Sequence, residues 1–245
     1  MEKILKRDMR YKKKIYAISD LHLSGEQVTK PMNIFESYNT EYVKEIEKNW
    51  DAVIEGDDVI LIAGDTSWAM YLKDAQSDLD FIGRLKGTKI LVRGNHDYWW
   101  KGISGVRAAL HKKTIALQND SIRFDGVVIC GTRGWTVPEP SIEPSAEDTK
   151  LYRREIERLG ISLKSAVEKR QNEDIIIAMI HFPPRNSMLE DSSFTALFKE
   201  YNVNKVVYGH LHGRHIQTPL YYKKDGIEYY LTSCDKVNNT IVRIW

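Results

Sequence analysis

The sequence is poor in cysteine, in net charge and in long apolar runs. Its two cysteines, Cys130 and Cys234, are far apart and form no C-x-x-C pair. Both follow apolar, strand-like runs, which indicates core thiols and a protein of the reducing cytoplasm. No apolar run approaches the roughly 18 residues of a membrane span, and the net charge of +2 gives no strong attraction to nucleic acid or a membrane surface. These absences argue against a membrane protein and leave nucleic acid unsupported as a partner.

What is present is typical of a soluble globular protein: 245 residues, 42% of them hydrophobic and 29% charged. This length suits a single domain over residues 1–245. Residues 1–14 carry seven basic and two acidic side chains and are predicted to form a solvated basic tail, with an electrostatic arm as the alternative. They are not a signal peptide, because Asp20 and His22 interrupt the apolar run that follows. Met9 is an alternative start, since strand-like sequence begins soon after it.

Apolar runs and helical periodicity alternate along the first half of the chain. Buried strands are predicted at residues 13–20, 57–65, 88–94, 174–181 and 204–210, and helices at 38–54, 69–85, from 95 to about 112, 146–170 and 192–201. Hairpins are predicted at 121–132 and near 224–226, where Asp-Gly pairs form the turns. This pattern predicts an α/β fold with mixed sheets, strands inside and helices outside.

The predicted buried strands all end in potential metal ligands. Their ends read Asp20-Leu21-His22, Gly64-Asp65, Gly94-Asn95-His96-Asp97, His181 and Gly209-His210-Leu211-His212. In open α/β sheets the carboxyl ends of the strands line one crevice, so we expect these side chains to meet. Residues at i and i+2 of an extended chain share a face, which lets each D-x-H or H-x-H pair reach one ion. The glycines are predicted to permit tight turns.

Oxygen and imidazole ligands without thiolate favour Mn, Fe, Zn or Co over Mg or Ca. The set is too large for one ion, and hydrolases of phosphate esters use two ions about 3.5–4 Å apart, bridged by a carboxylate. Each motif alone is weak evidence, since a lone D-x-H or strand-end histidine occurs by chance. Five motifs in sequence, each at a strand end, together indicate a dinuclear metal centre.

This order of motifs, from Asp20 to His212, resembles that of the calcineurin-like metallophosphoesterases. The resemblance implies a four-layer α/β/β/α sandwich with two packed mixed sheets. It implies that Asp20, His22 and His212 hold one metal, that Asn95, His181 and His210 hold the other, and that Asp65 bridges them. No ligand position of the family pattern is missing.

The same resemblance implies hydrolysis of phosphate esters by a hydroxide that bridges the two metals. His96 is similar to the family's histidine that binds no metal, and would protonate the leaving group or stabilise the transition state. Asp97 would then hold His96 in the correct tautomer, as a supporting carboxylate does.

Substrate contacts are expected from aromatic and arginine side chains near these motifs. Among Tyr98, Trp99 and Trp100, one tryptophan is expected in the core and Tyr98 or Trp99 in a pocket wall, with at least two core rings as the alternative. Trp68, three residues after Asp65, is another candidate wall. Arg133 and Arg185 are candidate phosphate clamps, with surface ion pairs as the alternative for each. Arg93 is expected to point into the structure.

A small-molecule or nucleotide phosphodiester is the first expectation for the substrate, and a phosphomonoester, as in a phosphatase of small molecules or proteins, is the second. A nucleotide-lipid pyrophosphatase is disfavoured. Such pyrophosphatases share the D-x-H-L motif but typically carry arginine at the position of His96. A nuclease is disfavoured because no basic stripe extends beyond the N-terminal tail. A non-catalytic scaffold is disfavoured because it has no need of a complete ligand set.

Overall fold

The computed structural model describes residues 14–25, 41–124, 126–213 and 215–245. Its strands are β1 (Ile15–Ile18), β2 (Val59–Ile62), β3 (Thr88–Leu91), β4 (Thr114–Ala116), β5 (Asp120–Phe124), β6 (Val127–Thr132), β7 (Ile175–Ile180), β8 (Lys205–Tyr208), β9 (Tyr221–Lys224), β10 (Ile227–Leu231) and β11 (Val242–Arg243). Its helices are α1 (Tyr42–Val53), α2 (Gln76–Arg84), α3 (Ile103–Ala109), α4 (Ala146–Lys169) and α5 (Ser193–Glu200). None of these helices combines the length and the apolarity needed to cross a membrane.

The strands form two mixed sheets. The first has the order β11-β1-β2-β3-β4, and the second has the order β5-β6-β7-β8-β10-β9. In the first sheet β1 to β4 run parallel and only β11 is antiparallel. In the second, β6, β7, β8 and β10 run parallel, while the edge strands β5 and β9 pair in antiparallel hairpins. Parallel strands bring their carboxyl ends to one edge of each sheet, which is where the motif residues follow.

The two sheets pack face to face, with helices on both outer sides. Apolar side chains of both sheets fill the space between them, including Ala17, Leu61, Val92, Ile129 and Met179. On the outer face of the first sheet lies a cluster containing Ile46 and Trp50 of α1 and Leu79 of α2. On the outer face of the second, Leu159 of α4 and Phe194 of α5 are fully buried. The predicted α/β/β/α sandwich is confirmed, and the strands β1, β2 and β6 bury both of their faces, as strands covered on two sides do.

All five predicted buried strands are present, each one to three residues shorter than predicted at its carboxyl end. The helix predicted from residue 69 begins at Gln76, after turns over residues 71–75. Sequence reasoning missed β4 and β11, which have only three and two residues and therefore show no alternating pattern. Residues 1–13 of the predicted basic tail, with Met9, the first residues of the predicted helix 38–54, and Asp125 of the predicted turn lie outside the described residues.

A fully buried lysine, Lys89 in β3, closes the carboxyl end of α2. Its Nζ donates to the carbonyl oxygens of Gly83, Leu85 and Gly87 at 3.3, 2.6 and 3.0 Å. These carbonyls have no partner within the helix, so the ammonium supplies the hydrogen bonds that a helix end lacks.

We expect Lys89→Met to lower the free energy of unfolding by about 2–4 kcal/mol, because three buried carbonyls lose their donor. Urea denaturation measures the change. Lys112→Met, the same substitution at an exposed position in the turn after α3, is the control and should change stability by less than about 0.5 kcal/mol. Equal stability of the two variants would contradict a capping role for Lys89.

Candidate metal centre

The ends of the central strands of both sheets meet at one edge. The first sheet contributes the residues after β1, β2 and β3, and the second contributes those after β7 and β8. Backbone hydrogen bonds join neighbouring ends within each sheet: Asp20 N donates to Gly64 O, and Gly209 N donates to His181 O, both at 3.0 Å. His181 also bridges the sheets, because its Nδ1 lies 2.9 Å from the carbonyl oxygen of Ala63. The strand-end convergence expected from the sequence is therefore present.

Two overlapping groups of ligand atoms form at this edge. One oxygen or nitrogen from each of Asp20, His22 and His212 lies within 4.8 Å of the others, and so do atoms of Asp20, Asp65 and His181. His212 is half-buried, and the other four are completely buried. This geometry groups the three residues that the resemblance assigns to one metal.

The residues assigned to the second metal also lie together. Asn95 Oδ1 is 2.7 Å from His181 Nε2 and 3.0 Å from His210 Nδ1. Asp65 Oδ2 is 3.3 Å from His181 Nε2 and 3.8 Å from His22 Nε2. Asp65 therefore stands between the two groups, in the position expected of a bridging carboxylate.

The oxygen and nitrogen atoms that face one another at this edge fit a bound cation. Ala63 O can only accept, so the Nδ1 of His181 carries the proton that it donates, and in the neutral ring Nε2 keeps a lone pair. That lone pair faces the amide oxygen of Asn95 and the carboxylate of Asp65, which are also acceptors. Asp65 Oδ2 is buried and accepts no hydrogen bond from the described residues. Lone pairs that face one another in a buried place need a positive charge between them, which a proton on His181 Nε2 or a metal ion that replaces it supplies.

Burial and the nearby carboxylates also shift the pKa values of the histidines in this group. Burial opposes a charge on His181, but the carboxylates of Asp65 and Asp20 outweigh it and raise its pKa to about 9. For His22 and His210 burial is the dominant effect and lowers each pKa to about 4. Both of these rings are therefore neutral at pH 7, the form of imidazole that binds a metal.

Backbone conformation aims the ligands. Asp20, His22, Asp65 and His210 have φ of 56°, 46°, 51° and 70°, in the left-handed region that residues other than glycine rarely adopt. Each of these residues turns the chain sharply at or just after the end of its strand. The strand ends thus direct side chains into the crevice at a conformational cost.

The motif glycines serve two different purposes. Gly64 has φ of 94° and fits the predicted tight turn. Gly94 and Gly209 do not have positive φ and are needed for space instead. A Cβ on Gly94 would overlap the carboxylate of Asp65, and one on Gly209 would overlap that of Asp20. At Gly209 a tight turn is present, since its carbonyl oxygen accepts the backbone N–H of Leu211 at 2.8 Å. The small size of Gly94 and Gly209 also lets ligand carboxylates lie against the backbone.

Asp97 does not support His96. Its carboxylate accepts four N–H groups, from Thr66 N (2.8 Å), Ser67 N (3.2 Å), Trp99 Nε1 (3.0 Å) and Gly94 N (2.7 Å). His96 is instead held through its backbone, whose N–H donates to Asp65 Oδ1 at 2.7 Å, while its Nδ1 is buried without a hydrogen-bond partner among the described residues. The predicted Asp97–His96 hydrogen bond is wrong. Asp97 fixes the loops after β2 and β3 against each other, because buried backbone N–H groups there need an acceptor.

We expect Asp97→Ala to lower the free energy of unfolding by at least about 3 kcal/mol, because four buried donors lose a charged acceptor. Urea denaturation is the measurement. Asp74→Ala, at an exposed turn, is the matched control and should be close to neutral. A small effect of Asp97→Ala would mean that other acceptors or water take over these N–H groups.

Of the predicted aromatic contacts, Trp68 and Tyr98 lie at the centre. Trp68 stacks on His22 with ring centroids 4.6 Å apart, and its ring is also 4.5 Å from that of His96. Tyr98 is 36% exposed, and its ring meets His96 edge to face at 6.1 Å. Trp99 is completely buried in the core under the first sheet, so its predicted role as a pocket wall is wrong. Trp100 is buried with it, so two of the three rings lie in the core, as in the alternative interpretation.

The two predicted arginine clamps have different surroundings. Arg133 stacks over the ring of Trp135 at 4.6 Å and lies 3.4 Å from a carboxylate oxygen of the buried Glu155. The side chain of Arg185 is buried and pairs with Asp191. Neither is a surface ion pair of the kind considered as the alternative, because each guanidinium is largely withdrawn from solvent. Arg93 was not predicted to have a function, yet its Nε, like that of Arg133, is buried without an acceptor among the described residues.

Two groups that orient ligands carry no sequence signal. Ser19 Oγ donates to Asp20 Oδ2 at 2.7 Å, and the carbonyl of Ala63 fixes the ring of His181. A serine before D-x-H is too common to be informative, and a backbone carbonyl can belong to any residue. Both contacts arise only when the strand ends are packed together.

Comparisons with known proteins agree with this geometry. The sequence model of a family described as calcineurin-like phosphoesterase matches residues 13–214. The uncharacterized protein MJ1445 of Methanocaldococcus jannaschii is 29% identical over 122 residues, which are 49% of this chain and 68% of that protein. Two solved structures share the fold. A protein of unknown function from Aquifex aeolicus, AQ665, has a TM-score of 0.50 at 18% identity, over 95% of this chain and 96% of that one. TT1561 of Thermus thermophilus has a TM-score of 0.54 at 13% identity, over 95% of this chain and 98% of that one.

Proposed function

The chain belongs to the calcineurin-like phosphoesterase family, and on this premise we propose that it hydrolyses small-molecule or nucleotide phosphodiesters with two bound metal ions. The observation that carries the proposal is the position of Asp65 Oδ2, a buried oxygen that lies between His22 Nε2 and His181 Nε2 at 3.8 and 3.3 Å. A carboxylate shared in this way is the feature that two-metal hydrolases need.

The chain's own residues divide into two ligand sets. Asp20, His22 and His212 form one set, Asn95, His181 and His210 form the other, and Asp65 belongs to both. When bound, the metal ions polarise the phosphoryl group and lower the pKa of water so that it can attack at neutral pH. Mixed oxygen and nitrogen donors without sulfur favour Mn, Fe or Zn for this role.

Supporting contacts keep these ligands in place before the substrate arrives. Ser19 Oγ and the backbone N–H of His210 both donate to the carboxylate of Asp20. Ala63 O holds His181 in the tautomer that directs a lone pair at the centre. Ligand geometry is thus fixed by groups that do not themselves face the substrate.

His96 is placed to handle the leaving group. It is half-buried, its ring is 5.6 Å from that of His22, and Trp68 and Tyr98 flank it. An imidazole so close to the ligands, but outside both sets, can give a proton to the departing oxygen as the ester bond breaks.

Arg93 and Arg133 are the candidates to hold the phosphoryl oxygens. Arg93 lies two residues before Asn95, and the carbonyl of Arg133 accepts the backbone N–H of His181 at 2.9 Å. Burial, together with Arg93 and other nearby arginines, lowers the pKa of Arg133, although Glu155 opposes the shift. Guanidinium groups whose Nε atoms have no acceptor among the described residues suit a negatively charged phosphoryl group.

The test is hydrolysis of bis-p-nitrophenyl phosphate against p-nitrophenyl phosphate, after chelation and refilling with Mn²⁺. We expect turnover that depends on the metal and prefers the diester. Preference for the monoester would move the function to the second candidate, a phosphomonoesterase. No turnover of either compound, with two metal ions bound per chain, would contradict the proposed hydrolase and favour a pyrophosphatase or a non-catalytic role.

A further inference from the structure

A cavity of about 420 Å³ opens beside the metal centre and shares the ligand His210 with it. Its volume falls within the roughly 300–1,000 Å³ range of small-molecule sites. Phe182, which directly follows His181, forms part of the wall and packs on the ring of His210 with centroids 4.3 Å apart. The lining is mainly apolar and aromatic, and includes Tyr208, Ile216 and Tyr222. The cavity therefore continues directly from the place where the phosphoryl group would be held.

The walls of the cavity are tied together. One wall is the segment 183–189 and another is the loop 136–139. Ser187 donates to the carboxylate of Glu139 through its backbone N–H at 2.9 Å and its hydroxyl at 2.7 Å, which joins the two walls. Lys224 Nζ donates to the carbonyl of Leu189 at 3.2 Å and so attaches the segment to the hairpin of β9 and β10. These contacts hold the walls of the cavity in place, which lowers the entropic cost of binding.

Arg185 gives the cavity a buried positive charge. Its side chain is 1% exposed, and it lies in the cavity wall. Nη1 donates to Leu189 O and to Asp191, the guanidinium lies 5.3 Å over the ring of Tyr229, and Nη2 is 4.0 Å from a carboxylate oxygen of Asp225, beyond hydrogen-bond distance. Nε and Nη2 are buried and have no hydrogen-bond partner among the described residues. Unsatisfied buried donors of a charged group are costly, so an acceptor supplied by a ligand would stabilise this arrangement.

We propose that this cavity is the subsite for the organic group of the substrate, and that it selects phosphoesters with an apolar ring that carries a carboxylate or carbonyl oxygen. The ring packs among Phe182, Tyr208 and Tyr222, and the oxygen accepts from Nε and Nη2 of Arg185. The inference rests on the proposed function, since it assumes that the metal centre holds the phosphoryl group at the His210 end. In this proposal Arg185 recognises the organic group of the substrate and does not bind the phosphate.

Binding of phosphonates tests this subsite without turnover, because their P–C bond is not hydrolysed. Dissociation constants of methylphosphonate, phenylphosphonate and 4-carboxyphenylphosphonate are measured by calorimetry on the full-length protein loaded with Mn²⁺. We expect phenylphosphonate to bind at least about tenfold more tightly than methylphosphonate, because the ring is buried. The carboxylate should add about another tenfold through Arg185.

Variants separate the two contributions. Arg185→Met should lose only the gain from the carboxylate and keep the preference for the ring. Ile216→Trp, which fills the mouth of the cavity, should reduce the preference for the ring to about twofold or less. Ile142→Trp is the matched control, because Ile142 is 64% exposed and lies outside this cavity. It should retain both preferences.

Equal binding of methylphosphonate and phenylphosphonate would overturn the subsite, and so would a ring preference that survives Ile216→Trp. If Arg185→Met fails to fold, the Ile216→Trp result still decides the location of the ring. If none of the three phosphonates binds while two metal ions per chain are present, the proposed function fails as well. That outcome differs from equal binding, in which the metal centre takes the phosphoryl group and only the cavity is uninvolved.

Discussion

Asp65→Asn is expected to reduce metal-dependent turnover by at least about 10³-fold. The amide keeps the shape of the side chain but removes the charge that stands between the two histidines at 3.3 and 3.8 Å. It also places an N–H₂ group or a neutral oxygen where two positive ions need a shared anion. Metal content by mass spectrometry should fall below two ions per chain.

Asp58→Asn is the matched control for this substitution. Asp58 is also buried, and it precedes β2 as Asp65 follows it, but within the described part of the chain its carboxylate accepts only from the backbone N–H of Glu55. It lies at the opposite end of the strand from the metal centre. We expect the control to keep its metal content and turnover while losing some stability. Full activity of Asp65→Asn would show that a carboxylate shared by two metal ions is not needed for turnover.

His96→Gln is expected to lower turnover of phenyl esters by about 10²-fold or more while both metal ions stay bound. His96 lies outside both ligand sets, so the substitution removes a proton donor and leaves the ligands unchanged. The loss should depend on the leaving group. It should be large for phenyl esters, whose phenolate needs a proton, and less than about tenfold for p-nitrophenyl esters, whose leaving group departs as an anion.

His111→Gln provides the comparison, because His111 is exposed in the turn after α3 and outside the centre. Its rates with both esters should match those of the unchanged protein. An equal loss for phenyl and p-nitrophenyl esters in His96→Gln would argue against proton transfer. It would instead indicate a positioning or electrostatic role for His96.

Strand-end residues were predictable because one rule covers them: parallel strands bring their carboxyl ends together. Given strands that end near Asp20, Asp65, Asn95, His181 and His210, the grouping of these side chains follows from topology. The four-layer arrangement was available only through the resemblance, since periodicity does not reveal how two sheets pack. Short strands such as β4 and β11 were missed because two or three residues carry no pattern.

The sequence could not predict contacts between residues that are distant along the chain. Asp97 was assigned to its neighbour His96, but its carboxylate accepts from Thr66 and Ser67, 31 and 30 positions away. Trp99 and Tyr98 are adjacent in sequence, yet one is in the core and the other at the surface, because the turn after β3 separates them. The cavity beside His210 likewise depends on how the segment 183–189 folds back, which no motif encodes.

The left-handed backbone at Asp20, His22, Asp65 and His210 has a consequence for how such a protein can change over generations. Each of these conformations costs roughly 1–2 kcal/mol for a residue other than glycine. Glycine at any of them would relieve strain and remove a proposed ligand at once. Variants of the protein selected for heat resistance alone would therefore tend to lose activity. These four positions must be held fixed in any library built to make the protein more robust.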